Sequence, residues 1–286
     1  MGGILYRDML EKVQEGIAKD APIERYITEQ RVWMMTKDSV FSAGYKDDSF
    51  AKPPYNAFSV LRAKFDNWFA SKAEKAGAML ITETKVSDVI LENGKVVGVR
   101  TDRPEGDLYC DALVIADGVN SLLAGKLGLR GNIPPKDVSL AVKEVISLPR
   151  EKIEDRFNLR GDEGTAIELV GELTKGMTGL GFIYTNKDTL SLGLGIMLSE
   201  LKTAKQPIYE IMEDFKQHPF VSRLIEGGKT EEYLAHLIPE GGYGAVPKVY
   251  GNGFVVAGDA ASLVNMVHRE GSNLAMTSGR LAAEAV

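Results

Sequence analysis

Phe254-Val255-Val256-Ala257-Gly258-Asp259 is the stretch from which the fold can be read. Three β-favouring apolar residues run into an alanine, a glycine and an acid, the pattern of a buried strand ending at a sheet's carboxyl edge. In open α/β sheets, ligands bind in the crevice outside such edges. A segment of the same design, Leu113-Val114-Ile115-Ala116-Asp117-Gly118, lies far upstream. Each predicts a short parallel strand and a turn, and a short helix is expected after the upstream one, to about residue 127.

Working outward, Asn93-Gly94 separates two β-rich segments, 86–91 and 96–99, which predicts a tight hairpin. Residues 64–76 place Phe65, Trp68, Phe69 and Ala76 on one helical stripe, with Gly77 as a left-handed cap, and 78–81 reads as a strand. At 4–17, Ile4, Leu5, Met9, Leu10, Val13 and Ile17 recur every three to four residues and predict an amphipathic helix. After Pro134-Pro135 the composition shifts to β-formers, predicting strands over 139–148, 166–170, 177–184 and 189–197. This reads as an inserted antiparallel sheet able to wall a substrate pocket. Helical spacing returns at 207–226, and a last helix begins near Gly271 and reaches Val286 without a stop signal.

A dinucleotide-binding fold opens with Gly-x-Gly-x-x-Gly, whose backbone amides hold pyrophosphate at a helix N-terminus. That motif is absent. Gly193-Leu194-Gly195 imitates it but lies inside an expected strand with no helix behind it. The chain therefore reads as a fragment lacking its first βαβ unit. The class is α/β with α+β elements, divided into 1–133, 134–240 (the inserted sheet, facing substrate or partner) and 241–286, which returns to the first domain.

The 286 residues are 44% hydrophobic and 26% charged, with a formal net charge of −6 and no basic patch, so a nucleic-acid partner is not expected. One cysteine, Cys110, forms no intrachain disulfide and by itself holds neither zinc nor an iron–sulfur cluster. A reducing, cytoplasmic setting follows. No apolar run approaches the roughly 20 residues that span a bilayer, so the protein is expected in solution or peripheral to the inner face of the membrane. His218 and His236 lack metal-ligand spacing, and no metal site is expected.

Val60-Leu61-Arg62-Ala63-Lys64-Phe65-Asp66, Ile115-Ala116-Asp117-Gly118-Val119-Asn120-Ser121 and Val256-Ala257-Gly258-Asp259-Ala260-Ala261 together resemble the successive FAD-binding motifs of the glutathione-reductase-like flavoproteins. That group includes para-hydroxybenzoate hydroxylase, geranylgeranyl reductase and electron-transfer-flavoprotein:quinone oxidoreductase. His268-Arg269-Glu270-Gly271-Ser272-Asn273-Leu274-Ala275-Met276 is similar to the flavin-facing helix start of the FixC-type branch. The resemblance implies a glutathione-reductase-like fold and FAD as cofactor. It also implies electron transfer from an electron-transfer flavoprotein toward quinone or ferredoxin, with any iron–sulfur cluster in a separate ferredoxin-like subunit or a missing segment.

Each motif keeps a plain reading beside the implied one. Arg62 pairs with phosphate or the adenosine half, or is a surface arginine at a helix start. Asp259 accepts hydrogen bonds from the ribityl hydroxyls while Gly258 admits close backbone approach, or Asp259 caps the next helix. Asp117 and Gly118 pack beside the cofactor, or form a simple strand-to-helix turn. Val86 meets adenine through its backbone, or is a core valine. Gly271, Ser272 and Asn273 offer free helix amides to the reduced flavin's anion, or form an ordinary helix start. His268, Arg269 and Glu270 line the flavin face or are structural, and no catalytic residue is singled out. Two other functions stay open: a flavin-dependent reductase or monooxygenase of a small or isoprenoid substrate, and an inactive truncated remnant.

Overall fold

The computed structural model describes residues 3–265, 267 and 270–286. Residues up to Trp68 gather with Ser139–Leu237 into one compact unit, and Phe69–Val138 gather with Ile238–Val286 into another. Residues up to Trp68 thus group with the large sheet and not with the rest of 1–133, because the first 60 residues supply strands to that sheet.

That sheet runs in the order Ile4–Tyr6, Ala57–Val60, Ile23–Met35, Glu163–Gly171, Gly179–Thr185, Thr189–Met197, Val138–Ser147 and Lys229–Pro239. Val40–Lys46 also pairs with Ile23–Met35. The hairpin strands Gly179–Thr185 and Thr189–Met197 are antiparallel, as expected, whereas Glu163–Gly171 lies parallel to Ile23–Met35. Leu190, Leu192, Leu194 and Ile196 alternate with small residues and are fully buried, the period-2 signature of one sheet face against a core. The core continues through Ile153 and Phe157 of the helix Arg150–Phe157 and Ile211, Met212 and Phe215 of the helix Ile208–Gln217. The helical stretch expected at 207–226 breaks at His218, where Pro219 opens a second helix, Pro219–Ile225. Gly193 belongs to its strand, and a Cβ there would collide with the Val142 carbonyl oxygen and the Phe182 ring. Close packing, not phosphate binding, explains this glycine.

Two expected elements are absent. Residues 4–17 do not form one helix: Ile4–Tyr6 is a strand pairing with Ala57–Val60, followed by the helix Arg7–Val13 and a 3-10 turn at Ile17–Asp20. Sheet pairing overrides helical periodicity there, because Ile4 and Leu5 are buried by the sheet. Residues 78–81 form no strand and find no neighbouring strand, and Met79 is 84% exposed. The preceding helix, Arg62–Lys75, forms as predicted and ends at Gly77, where Ala78 N–H bonds back to Ala73 O at 3.0 Å.

Candidate functional site

In the second unit, Phe254–Val256 lies parallel to Leu113–Ile115, with Val256 opposite Ile115. The Ala257 N–H donates to Ile115 O at 2.9 Å, so the strands end level with each other. The Asp117-Gly118 and Gly258-Asp259 turns therefore emerge side by side from one carboxyl edge. Tyr250–Gly251 borders the pair on the other side of Phe254–Val256. Beneath the turns, Ile115, Leu123, Val256, Ala260 and Ala261 form a buried cluster.

The two turns differ in detail. Asp117 is exposed, and its Oδ2 accepts the Leu123 N–H at 3.1 Å, capping the helix Leu122–Lys126. Gly258 is buried with φ +62°, its N–H donates to Ser278 Oγ at 2.9 Å, and a Cβ would stand 3.3 Å from Ala275 Cβ. Glycine is required here by backbone conformation and by packing on the last helix. Asp259 is half-buried in the 3-10 turn Gly258–Ala261.

Gly271, Ser272 and Asn273 open the helix Gly271–Ala285, which packs against the Gly258 turn, and Asn273 is buried. Glu270 precedes this helix and makes no side-chain cap, and the helix directs the positive end of its dipole toward its Gly271 start. His268 and Arg269 lie outside the described residues. Val86 begins the hairpin strand Val86–Glu92, which pairs with Lys95–Thr101 and through it with Asp107–Tyr109. At 37% exposure it is not a core valine. Arg62 belongs to the other unit, where its Nε donates to Asp66 Oδ1 at 2.8 Å one helical turn away. Thus Asp117, Gly118, Gly258, Asp259 and the 271–273 helix start come together, while Val86 sits on a separate small sheet.

One residue of this region was not singled out from the sequence. Arg130 donates from Nη2 to Val119 O and from Nη1 to Ser262 Oγ at 3.5 Å, bridging the two turns. Burial lowers the pKa of its guanidinium, partly offset by the field of Asp117. Ser121 Oγ is buried in the same turn without a hydrogen-bond partner among the described residues. The local signal was legible: Gly128 after a short helix, then Leu129, is the sequence of a chain-reversing cap. Its acceptors were not, since Ser262 is 132 residues away. Among the described residues no group of His, Cys, Asp and Glu could hold a metal ion, and Cys110 is exposed.

A mixed α/β chain with a large sheet and a parallel strand pair ending in Gly/Asp turns has the fold of flavin-dependent oxidoreductases and halogenases. A geranylgeranyl bacteriochlorophyll reductase-like protein of Thermoplasma acidophilum superimposes with a TM-score of 0.79 at 19% identity, over 99% of this chain and 67% of that one. The myxobacterial chondrochloren halogenase, an FAD-dependent halogenase, gives 0.69 at 19% identity over 97% and 62%. Among curated sequences, protein FixC of Bradyrhizobium diazoefficiens is 51% identical over 286 residues, spanning all of this chain and 66% of that protein. Protein FixC of Escherichia coli K12 is 45% identical over 288 residues, spanning 67% of that protein. The chain belongs to the FixC family, and it spans about two thirds of the length of the curated relatives it matches. No family model matches it.

Proposed function

We propose that the full-length protein is an FAD-dependent oxidoreductase passing electrons between an electron-transfer flavoprotein and quinone or a ferredoxin-like subunit. The observation that carries the flavin reading is the pair of Gly/Asp turns at one carboxyl edge of a parallel strand pair. The residues present fit the group: a half-buried carboxylate, a glycine held with φ +62° and the positive end of a helix share one edge. When bound, FAD accepts electrons on its ring and gives them up singly or in pairs. Asp259 would accept hydrogen bonds from the ribityl hydroxyls. The amides of Gly271, Ser272 and Asn273 would favour negative charge on the reduced ring and so raise its potential. The Val86 backbone would lie along adenine. The unit Phe69–Val138 with Ile238–Val286 would be the flavin half, and the large sheet the substrate- or partner-facing half.

The electron-transfer reading rests on membership of the FixC family, and with one cysteine among these 286 residues, any iron–sulfur cluster would sit in a separate subunit or in a segment outside them. Among the described residues no helix is long and apolar enough to cross a membrane. The test is to purify the full-length protein, record its visible spectrum, and mix it anaerobically with reduced electron-transfer flavoprotein. Bleaching of bound flavin at a rate that depends on partner concentration is expected, and a colourless protein sinks the reading.

A second reading has one observation of its own. Val32 and Met34 share a sheet face, with Phe41 opposite Met34, and all three are exposed. An apolar face of this kind favours a flavin-dependent reductase or monooxygenase of a small or isoprenoid substrate. Substrate-dependent NAD(P)H oxidation, with no response to electron-transfer flavoprotein, would select it.

A further inference from the structure

The helix Leu122–Lys126 ends in a chain reversal in which Gly128 N–H bonds to Gly125 O and Leu129 N–H to Ala124 O, each at 3.0 Å. Leu127 and Leu129 pack on the apolar cluster under the strand pair. The reversal turns Arg130 back toward the start of its own helix. There its guanidinium donates to the Val119 carbonyl of one turn and the Ser262 hydroxyl of the other.

Both turns need holding. Gly118 and Ser121 in the first, and Gly258 and Ser262 in the second, all have positive φ, at +78°, +31°, +62° and +56°. For the two serines this is a backbone state that persists only where the surroundings impose it. Arg130 reaches both, and among the described residues no carboxylate pairs with its charge. A planar guanidinium has five donors in a fixed fork, so one side chain can hold two acceptors at a set separation and keep donors free. A lysine or a neutral amide cannot reproduce that geometry.

We propose that Arg130 is a positioning residue of the cofactor site, clamping the 117–121 turn to the 258–262 turn so that Gly258 and Asp259 are held in register with Asp117 and Gly118. The inference rests on the FAD reading above. It makes the paired turns a site whose spacing is set by a third segment, and it assigns this chain's own residues a cofactor-orienting role beyond those of the motifs.

The experiment uses the full-length protein with Arg130→Ala, Arg130→Lys and, as a packing control, Leu129→Ala. Each is stripped of flavin and titrated with FAD, and the visible spectrum, flavin midpoint potential and melting temperature are recorded. Arg130→Ala is expected to weaken FAD binding on the order of tenfold or more, the loss of one charge-assisted contact, and to shift spectrum and potential. Millimolar guanidinium ion, which refills the fork, restores affinity to Arg130→Ala but not to Arg130→Lys. Leu129→Ala, which keeps the guanidinium and loosens only its apolar seat, lowers the melting temperature and gains no FAD affinity from added guanidinium ion. The proposal is overturned if Arg130→Ala merely melts earlier while affinity, spectrum and potential match wild type, or if guanidinium gives no rescue. A wild-type protein that binds no FAD overturns the underlying reading as well, and the wild-type titration alone reveals that case.

Discussion

Two buried cations show how differently one charge can serve. Arg25 is fully buried, and its Nε donates to Asn186 O at 2.6 Å and its Nη1 to Gly161 O and Glu163 O at 2.9 and 3.0 Å. Its Nη2 reaches Lys187 O at 3.2 Å and Glu154 Oε1 at 3.4 Å. One side chain thereby satisfies carbonyls of two loops and ties them to the strand Ile23–Met35. Arg25→Ala is expected to cost about 3 kcal/mol or more in urea unfolding, since those carbonyls lose their partner in a dry site, and Arg25→Lys recovers little because it lacks the fork. Lys143 is the opposite case. Its side chain is 3% exposed and its nearest acid, Glu232, stands 3.7 Å away and half in water. Burial lowers the Lys143 pKa below its ordinary 10.5, with Glu232 opposing. The unfolded chain then holds the proton more tightly, so this group's contribution to stability rises as pH climbs toward 10.5. Lys143→Met should leave stability at neutral pH unchanged or higher and flatten that rise, measured as melting temperature against pH.

At the scale of elements, local rules succeed where the element is self-contained. The hairpin Val86–Glu92 and Lys95–Thr101 forms around Asn93-Gly94, both with positive φ, as that dipeptide demands. The helix Arg62–Lys75 and its glycine cap form as predicted, with Phe65 buried and Trp68 and Phe69 half-buried, while Ala76 falls beyond the helix and is exposed. The strand expected at 78–81 fails because a strand needs a neighbour, and the described residues supply none. Met79, Leu80 and Ile81 are left exposed, a contiguous apolar segment of the kind that drives association. Met79→Lys with Ile81→Thr should lower light scattering of concentrated chain 1–286 with no change in far-UV circular dichroism, and unaltered scattering would acquit the segment.

Over the whole molecule, the large sheet is assembled from distant parts of the chain. Glu163–Gly171 pairs in parallel with Ile23–Met35 across more than a hundred residues, and Arg25 ties that strand to the loop before Glu163 and to the 186–188 hairpin loop. Excised residues 139–237 therefore lack the strand that covers one edge of Glu163–Gly171 and the arginine that fills their loops. That excision should be unfolded or molten by near-UV circular dichroism, whereas a piece joining 3–68 to 139–237 should show cooperative melting. The same long-range construction governs the candidate site, where two turns more than a hundred residues apart leave one sheet edge together.

The sequence alone determined the strand-and-turn pattern at 113–118 and 254–259, the hairpin, the helix after Arg62 and membership of a flavoprotein lineage. These rest on side-chain periodicity and on glycine's backbone freedom, which act over a few residues. Tertiary structure decided what the first 60 residues become and which side chains hold the turns. Ile23–Met35 buries Glu24 and Arg25 within its length, which breaks the apolar alternation that would have announced a strand. Arg130 reads as an ordinary basic residue until the chain reversal brings it to acceptors on two separate turns. Arg25 is held in a buried position by backbone carbonyls that converge on it from distant loops, and that convergence is a property of the folded chain.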